Sequence, residues 1–410
     1  MPPTDAAPTA DIHALIARRS AGHSLPREFH TEAAIYRAEM ERIFRRGWLF
    51  IGHACEIPRA GDYFLYEIDD DSIIVIRAAD CRIHALYNTC RHRGSIICTQ
   101  ATGNVARLVC PYHQWSYGHD GELLSCGAMP DDFDKHTHAL AHAAVEEVGG
   151  LLFLNLADTP SDFAPARQTL EPQLRPHGLN RAKVAFQIEY DVRANWKLVW
   201  ENNRECLHCP VGHPQYVRAN FDVASADDPR TARRIAARSA ECSTRWRALG
   251  MNVDYGEAGL YPFPDGRWYR ATRTPLAEGF VTESVDGQPA APLMGDFREY
   301  DMGTLRLSTL PNFWNHSSSD HSVSTRLTPA GTALTKAQVT WLVHEDAVEG
   351  VDYHLDRLLP FWKLTSEQDW ALCENNQRGV NSSRYQPGPY STKKEYNVAR
   401  FVEWYLNEMS

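Results

Sequence analysis

Short apolar runs separated by polar residues dominate the chain from Trp48 to about Leu156. The runs DYFLYEI, SIIVIRA and GLLFLNL are rich in β-branched and aromatic residues, and Gly, Pro, Asn and Asp lie between them. Such runs are typical of strands. By contrast, residues 31–46 place their apolar side chains near helical spacing. The pattern therefore predicts a small all-β domain that follows an N-terminal helical segment.

The second half of the chain mixes helical and strand periodicities. The segment ARQTLEPQL predicts a helix, KVAFQIEYDVRAN predicts a strand, and LRLSTLPNFW, HSVSTRLTP and AQVTWLVHE predict three antiparallel strands. Helices are predicted again over residues 347–378 and 394–408. The polar stretch over residues 225–303 is rich in Arg, Gly and Pro, which predicts mainly loops. Together these elements predict an α+β fold.

Composition narrows the class of protein. Hydrophobic residues make up 43% and charged residues 23% of the 410 positions, which is ordinary globular usage. A net charge of −10 argues against nucleic-acid binding. Apolar runs stay short of the roughly 18 residues that a membrane helix needs, and no signal-peptide pattern opens the chain, so we expect no membrane association and a cytoplasmic location. Ten cysteines are too few for a disulfide scaffold here, so we expect free thiols or metal ligands.

Two cysteine–histidine pairs lie close together within the predicted β domain. Cys90 and His92 form the first pair, and Cys110 and His113 form the second. Four such donors suit a tetrahedral zinc ion, or a [2Fe–2S] cluster with both cysteines on one iron and both histidines on the other. Buried side chains without a metal are a third alternative. The sequence CRHRG followed by CPYHQWSY resembles the Rieske cluster motif, which favours the cluster.

A second group of potential metal ligands lies downstream, in the segment ENNRECLHCPVGH. On a helix, Glu205 and His208 would share one face, and the helix breakers Pro210 and Gly212 would let the chain turn and bring His213 beside His208. Two imidazoles leave coordination positions for a carboxylate, a substrate and O₂, as in the facial triad of non-haem Fe(II) oxygenases. The Cys-x-x-Cys sequence at positions 206 and 209 is an alternative redox or zinc motif.

In this order, the two motifs resemble the oxygenase α subunit of the Rieske non-haem iron oxygenases, over about residues 45–400. The resemblance implies an all-β Rieske [2Fe–2S] domain inserted in a catalytic domain with a helix-flanked antiparallel sheet. The implied ranges are 1–44 for the N-terminal helical segment of the catalytic domain, 45–156 for the Rieske domain and 157–410 for the catalytic mononuclear iron domain. Subunits of this family usually form a trimeric ring, so we expect a homotrimer.

The resemblance also implies roles for individual residues. The implied ligands of the cluster are Cys90, His92, Cys110 and His113. The implied histidine ligands of the mononuclear Fe(II) are His208 and His213. The family's third iron ligand is a carboxylate in a late helix with the wording E-x-D, which is Asp369 here, with Glu367 as a rival. That segment predicts a helix start capped by Thr365 or Ser366. Glu205 would bridge His208 to the partner subunit's His113. Many relatives have Asp in place of this glutamate.

The implied reaction uses O₂ and electrons from a separate NAD(P)H-dependent reductase, because no flavin or plant-type ferredoxin motif is present in the chain. The stretches ENNRECLHCPVGHP, LPNFWNHSSSDH, WLVHEDAVEGVDY and ENNQRGVNSSRYQPGPYS are similar to the branch that includes glycine betaine monooxygenase and stachydrine demethylase. Members of that branch hydroxylate an N-methyl group, and the product decomposes to formaldehyde and the demethylated amine. The expected substrate is a small quaternary ammonium compound.

Aromatic faces favour a quaternary ammonium group. The aromatic residues that we expect to line the substrate pocket are Trp268, Tyr269, Phe313 and Trp314. Two other functions remain as alternatives at this point. One is an aromatic-ring hydroxylase or aryl O-demethylase with the same cofactors. The other is a zinc-binding or electron-carrying protein without oxygen chemistry.

Overall fold

The structure is a computed structural model that describes residues 12–220, 229–253 and 267–410. Two antiparallel sheets organise these residues, one of seven strands in the N-terminal part and one of six strands in the C-terminal part. The predicted loop-rich stretch lies outside the described residues at 225–228 and 254–266. Within the described part it contains a helix of 20 residues, so the prediction of mainly loops is wrong there. Ala and Arg favour that helix, but it is strongly polar overall and only Cys242 and Trp246 of it are buried, so its composition resembles that of a loop.

The N-terminal part of the chain forms ten strands, seven in the large sheet and three in a smaller one. These are β1 (Leu49–His53), β2 (Asp62–Ile68), β3 (Asp71–Arg77), β4 (Ile83–Tyr87), β5 (Thr102–Asn104), β6 (Leu108–Val109), β7 (Ser116–Tyr117), β8 (Leu123–Ser125), β9 (His142–Val148) and β10 (Leu151–Asn155). The large sheet has the order β1-β10-β9-β4-β3-β2-β5, and β6-β7-β8 form the small sheet. Strand β3 contains an unbroken apolar run over residues 73–76 because both of its faces are covered: Ile73 and Val75 belong to one core, and Ile74 and Ile76 to another.

The C-terminal sheet has six strands in the order β11-β16-β15-β14-β13-β12, all antiparallel. They are β11 (Ala182–Val192), β12 (Tyr269–Thr274), β13 (Thr304–Thr309), β14 (Phe313–Ser317), β15 (Ser322–Gly331) and β16 (Leu334–His344). The segment LRLSTLPNFW was predicted as one strand but forms the end of β13 and the start of β14. Pro311 lies between them and cannot donate to a strand ladder.

The two faces of this sheet pack against different parts of the molecule. Phe313 of β14 stacks on Phe50 of β1 with ring centroids 3.9 Å apart, so its face meets the N-terminal sheet. The next residue, Trp314, lies on the opposite face and contacts Trp200 and Trp370, which belong to helices. One face of the C-terminal sheet therefore packs against the N-terminal sheet, and the other packs against the helices that carry Trp200 and Trp370.

The described residues form helices on both faces of this sheet. They are α1 (Ile12–Ala17), α2 (Glu28–Thr31), α3 (Ala33–Glu39), α4 (Ala164–Leu174), α5 (Trp196–Asn203), α6 (Cys209–Gly212), α7 (Pro214–Ala219), α8 (Pro229–Ala248), α9 (Leu355–Leu358), α10 (Pro360–Val380) and α11 (Tyr396–Met409). A π-helical turn at Met40–Phe44 extends α3, which accounts for the predicted helix over residues 31–46. None of these helices is both long and apolar enough to cross a bilayer.

A buried ion pair joins the N-terminal helices to the C-terminal part. Glu39 of α3 and Lys197 of α5 are fully buried and paired. The Trp196 indole and the Tyr405 hydroxyl of α11 also donate to the Glu39 carboxylate. Because a buried charge is costly unless it is paired and hydrogen-bonded, these contacts fix α3 and α11 against the start of α5.

Candidate metal centres

Two loops of the β region carry the first set of predicted ligands in matching backbone conformations. In each loop the cysteine N–H donates to the carbonyl five residues later, from Cys90 to Ser95 (2.9 Å) and from Cys110 to Trp115 (2.8 Å). The residue four positions after each cysteine has a positive φ, 77° at Gly94 and 62° at Gln114. These paired turns point the cysteine and histidine of each loop toward those of the other.

The four predicted donors form a sulfur pair and a nitrogen pair. Cys90 and Cys110 are buried, whereas His92 and His113 lie at the surface with their Nδ1 atoms 3.1 Å apart. The Trp115 ring stacks on His92 at 4.8 Å and an interplanar angle of 9°. A dry sulfur end and an exposed imidazole end suit a cluster of two irons, with one pair of ligands on each iron.

The buried environment of the cluster cysteines affects how readily they can ionise and bind a metal. Burial raises the pKa of the Cys90 thiol, and the neighbouring Cys110 raises it further, while the hydrogen bond with the Tyr117 hydroxyl (3.2 Å) acts in the opposite direction. The same hydroxyl accepts from the Arg91 backbone N–H at 3.1 Å. The Cys90 thiol therefore resists ionisation without a nearby cation, so the donors fit a cationic metal cluster that would bind the cysteines as thiolates.

The second set of predicted ligands surrounds the junction between α5 and α7. Helix α5 ends at Asn203, so Glu205 lies in the turn after it and not on a helix as expected. Pro210 occupies the first turn of the short helix α6, and His213 follows directly after that helix. The expected return of the chain is therefore observed, although it passes through an added helical turn. Antiparallel packing of α5 and α10 places Asp369 opposite this junction.

Two imidazole nitrogens and one carboxylate oxygen converge at this junction. Asp369 Oδ1 lies 3.2 Å from His208 Nε2 and 2.8 Å from His213 Nε2. The two rings are nearly perpendicular, with centroids 5.1 Å apart. The side chain of His213 is almost completely buried, whereas those of His208 and Asp369 are 19% and 21% exposed. This is the donor set of a facial triad, with its open side toward partly exposed groups.

The outward nitrogens of both rings are held by oxygen acceptors. His208 Nδ1 lies 2.6 Å from Glu205 Oε1, and the Leu207 N–H donates to the other carboxylate oxygen. His213 Nδ1 lies 2.8 Å from Gln368 Oε1. Protons on the Nδ1 atoms leave each Nε2 lone pair facing Asp369, which is the tautomer a metal ligand needs. Sequence reasoning missed Gln368; its position next to Asp369 was the available signal.

The electrostatics of the junction favour a positive charge at its centre. Burial opposes protonation of His208, but the carboxylates of Asp369 and Glu205 outweigh it and raise its pKa to about 9. The pKa of His213 is also raised, because its bond to Asp369 outweighs burial. Burial alone would raise the pKa of Asp369, but the two imidazoles hold it below its ordinary value. A divalent cation would supply this positive charge directly, so the residues fit a metal.

Several details of the predicted ligand segment differ in the structure. Helix α10 begins at Pro360, so Asp369 lies in its middle and neither Thr365 nor Ser366 caps its start. The helix is longer than its acidic segment indicated because PFWKL, ahead of that segment, is helical too. The rival acid Glu367 points elsewhere: it pairs with Lys363 and accepts from the Tyr190 hydroxyl. Asp369 alone of the two acids contacts the histidines.

The Cys-x-x-Cys sequence forms a disulfide between Cys206 and Cys209. The expectation that every cysteine is a free thiol or a metal ligand is therefore wrong at these two positions. The spacing brings the two sulfurs together within the single turn that joins α5 to α6. Among the other cysteines, Cys373 of α10 is buried and free.

The four aromatic residues predicted for the substrate pocket separate onto two faces of the sheet. Phe313 contacts Phe50, Tyr269 belongs to the same core, and Trp268 contacts the rings of Phe153 and Phe163. These contacts lie on the face toward the β region. Trp314 alone is on the other face, 6.4 Å from Trp370, the neighbour of Asp369. The structure therefore brings only Trp314 toward the histidine junction.

Three other aromatic rings, which sequence reasoning missed, lie beside the junction. Trp362 precedes Asp369 by seven residues, which places it on the same face of α10. Its ring contacts His316 at 4.3 Å and Tyr216 at 5.8 Å. Glu283 is buried, and its Oε1 lies 3.2 Å from His316 Nδ1, which orients that ring. The two-residue step from Trp314 to His316 along β14 was the signal that both share one face.

Known proteins match the chain over both halves. The Rieske [2Fe-2S] domain model matches residues 47–137, and the catalytic domain model of the ring hydroxylating alpha subunit matches residues 179–410. The glycine betaine monooxygenase oxygenase subunit of Chromohalobacter salexigens is 44% identical over 403 residues, which cover 98% of this chain and 88% of the relative. The subunit of the same name from Pseudomonas aeruginosa is 40% identical, with 98% of this chain and 92% of the relative covered.

Solved structures resemble the whole fold. A quaternary ammonium Rieske monooxygenase in complex with L-carnitine has a TM-score of 0.68 and 20% identity, with 97% of this chain and 98% of that chain covered. Naphthalene 1,2-dioxygenase from a Rhodococcus species has a TM-score of 0.67 and 19% identity, with 94% of each chain covered. At such identities the likeness concerns the fold, and it confirms the predicted fold class.

Proposed function

The chain belongs to the Rieske non-haem iron oxygenases, as its two motifs predicted, and on that premise we propose that it demethylates a small quaternary ammonium compound. The reaction is hydroxylation of an N-methyl group with O₂, followed by release of formaldehyde and the demethylated amine. Glycine betaine, or a similar betaine, is the proposed substrate. The observation that carries this proposal is the 44% identity, over nearly the whole chain, to a glycine betaine monooxygenase oxygenase subunit.

A Rieske [2Fe–2S] cluster and a non-haem iron are the cofactors of this family. We propose Cys90, His92, Cys110 and His113 as the ligands that hold the cluster. We likewise propose that His208, His213 and Asp369 hold the mononuclear Fe(II). When bound, these groups supply single-electron transfer and the activation of O₂ for attack on a C–H bond. The sulfur pair, the nitrogen pair and the convergent triad described above support these assignments.

The protein's own residues would orient the ligands and the substrate. Glu205 and Gln368 keep the outward Nδ1 protons of the two iron histidines in place, so that both Nε2 lone pairs face the metal. Trp314, Trp362 and Tyr216 lie between the sheet and the helices that carry the ligands, and we propose that their rings contact the ammonium group. Trp268, Tyr269 and Phe313 would then serve the core between the two sheets.

We propose three sequence ranges as the functional units: 1–44 and 157–410 for the catalytic domain, and 45–156 for the inserted Rieske domain. The N-terminal helices support this division, because the Glu39 carboxylate binds Lys197 and Tyr405 of the catalytic part. The insertion also agrees with the packing of β1 on one face of the C-terminal sheet.

We propose a homotrimer in which the cluster of one subunit faces the iron of the next. Large apolar side chains are exposed beside both centres: Tyr112 (57%) next to His113, and Leu207 (50%) and Val211 (90%) around His208. Such exposed apolar groups are typical of contact surfaces. Glu205 would then bridge His208 and the partner subunit's His113. A separate NAD(P)H-dependent reductase would deliver the electrons, and the proposed location is the cytoplasm.

The proposal is tested by incubating the purified protein with a reductase, NADH, O₂ and a panel of betaines. We expect formaldehyde in proportion to the amine formed, and none from the His208→Ala variant. The carbon isostere 3,3-dimethylbutanoate keeps the shape and the carboxylate of glycine betaine but has a neutral carbon in place of the ammonium nitrogen. If aromatic rings recognise the cation, the isostere should compete about tenfold more weakly, since that contact contributes about 1–2 kcal/mol. Absence of formaldehyde from every betaine, or oxidation of aromatic substrates in their place, would overturn the proposal.

A further inference from the structure

The Cys206–Cys209 disulfide lies against the metal-facing side of the proposed iron site. Cys209 is buried, and its Sγ is 3.8 Å from His208 Nε2. One donor atom from each of His208, Cys209 and His213 lies within 4.8 Å of the other two. Since both Nε2 atoms face Asp369, the sulfur is close to the position of the metal itself.

We propose that Cys209 is a latent protein ligand of the mononuclear centre, and that the disulfide with Cys206 keeps its sulfur from binding the metal. A sulfur in a disulfide carries no negative charge, whereas a thiolate is a strong ligand for divalent transition metals. Ligation by Cys209 would fill a coordination position that O₂ or substrate needs. The disulfide form is therefore the active form, and the dithiol form is inhibited. This inference rests on the proposed iron ligands and is independent of the substrate.

The conversion between the two forms is a two-electron step. On oxidation, each thiol loses one proton and one electron, the S–S bond forms, and O₂ accepts both electrons and both protons to give H₂O₂. On reduction, a small dithiol supplies two electrons and two protons and itself becomes a disulfide. In the reduced form, Cys209 releases its proton to solvent as its sulfur binds the metal.

The local structure allows this exchange of partners. Residues 204–208 form a turn without regular helix between α5 and α6, so opening the disulfide requires no helix to break. Cys206 is half-buried, whereas Cys209 is on the inner side of the turn. Disulfides in a reducing compartment are mostly of this switching kind.

The first measurement is the redox state of the pair in the holoenzyme. Differential alkylation and peptide mass spectrometry should find Cys206 and Cys209 protected before treatment with dithiothreitol and modified after it. Turnover should fall after dithiothreitol treatment and return after the reductant is removed in air. The Cys209→Ser variant should show the same turnover with and without dithiothreitol, whatever its own basal rate, and this ratio also controls for effects of the reductant on the cluster.

The second measurement detects the sulfur–metal bond directly. With Co(II) at the mononuclear site, the Cys206→Ser variant should show a thiolate-to-cobalt charge-transfer band, and the double variant with Cys209→Ser should lose it. Oxidised wild-type protein should lack the band and gain it on reduction. The matched control is Cys373→Ser in the Cys206→Ser background. Cys373 is buried like Cys209, but it lies on α10 and contacts the Leu198 carbonyl. Because its sulfur is not expected to bind the metal, the band should persist.

Two outcomes would overturn the inference without affecting the proposed iron site. One is alkylation of both cysteines in the oxidised, active holoenzyme. The other is a site that binds Co(II) stoichiometrically without a thiolate band in either the Cys206→Ser variant or the reduced wild type, which leaves the proposed function intact. If wild-type protein binds no Co(II) or Fe(II) at all, the proposed iron site itself fails, and the inference fails with it.

Discussion

Replacement of Glu205 by glutamine isolates the charge of the proposed bridge between subunits. Glutamine keeps the length of the side chain and an oxygen that accepts from His208 Nδ1, so the 2.6 Å contact survives as a neutral hydrogen bond. A hydrogen bond to a charged group contributes about 1.5–3 kcal/mol, whereas a neutral one contributes about 0.5–1.5 kcal/mol. The loss of about 1–1.5 kcal/mol corresponds to about a tenfold weaker affinity for mononuclear Fe(II). The cluster ligands are untouched, so the visible spectrum should not change.

Electron transfer should be affected more than metal binding at saturating iron. Without its charge, the side chain is a weaker acceptor for a proton from the partner subunit's His113. We expect reoxidation of the reduced cluster to slow about tenfold or more, equivalent to about 1.4 kcal/mol on the barrier. The assay is rapid mixing of the fully loaded, reduced Glu205→Gln variant with O₂ and substrate, followed by the cluster absorbance.

The matched control is Glu367→Gln, because Glu367 is a nearby acid on α10 that pairs with Lys363 and contacts neither histidine. This variant should reoxidise at the wild-type rate. If Glu205→Gln also bound iron and reoxidised at wild-type values, the bridging role of Glu205 would be refuted. Slow reoxidation in both variants would instead indicate a general effect of surface charge.

Three further predictions concern other parts of the molecule. Burial raises the pKa of Glu201 to about 7 despite its hydrogen bond from Tyr390, so the folded state loses stability as pH rises from about 4.5 to 7 and this carboxyl ionises. Glu201→Gln should remove this loss. In denaturant titrations, the free energy of unfolding should rise by up to about 3 kcal/mol at pH 8 and change little at pH 4. Cys110→Ser should abolish the cluster spectrum and retain mononuclear iron, whereas His208→Ala should do the reverse, as metal and sulfide assays would show. Trp362→Leu should raise KM for glycine betaine about tenfold, equivalent to about 1–2 kcal/mol, whereas Trp268→Phe should leave KM unchanged in the formaldehyde assay.

The metal-binding motifs were accessible from the sequence because their donors are close in the chain. Cys90 with His92, and His208 with His213, are separated by a few residues, so local turns decide whether they converge. Asp369 was identified only through a family resemblance, since no spacing rule relates a residue on α10 to the junction after α5. Gln368 was missed for the same reason. Its role depends on the rotation of α10, which tertiary packing sets.

The pocket aromatics show a different limit of sequence patterns. Alternation along β14 indicates that Phe313 and Trp314 lie on opposite faces, but it does not show which face meets the catalytic helices. That choice depends on the partners of each face, Phe50 on one side and Trp200 on the other. The Cys206–Cys209 disulfide was not expected, although the Cys-x-x-Cys spacing had indicated a redox motif as an alternative. Composition argued correctly against a disulfide scaffold, but it gave no information about a single local pair.

Strand β14 also explains why assembly, rather than motion between domains, should control electron transfer. Asn312, just before β14, is fully buried and bonds both backbone groups of Phe50: its Oδ1 accepts from the Phe50 N–H at 3.0 Å, and its Nδ2 donates to the Phe50 carbonyl at 2.9 Å. Together with the ring stacking of Phe313 on Phe50, this contact joins β1 to the catalytic sheet without a flexible linker. Sliding β1 along the sheet would leave buried amide groups unpaired, at about 1–3 kcal/mol each. The two centres of one chain are thus held in a fixed relation, and under the proposed transfer between subunits the rate depends on how neighbouring subunits bring the exposed His113 edge against Glu205.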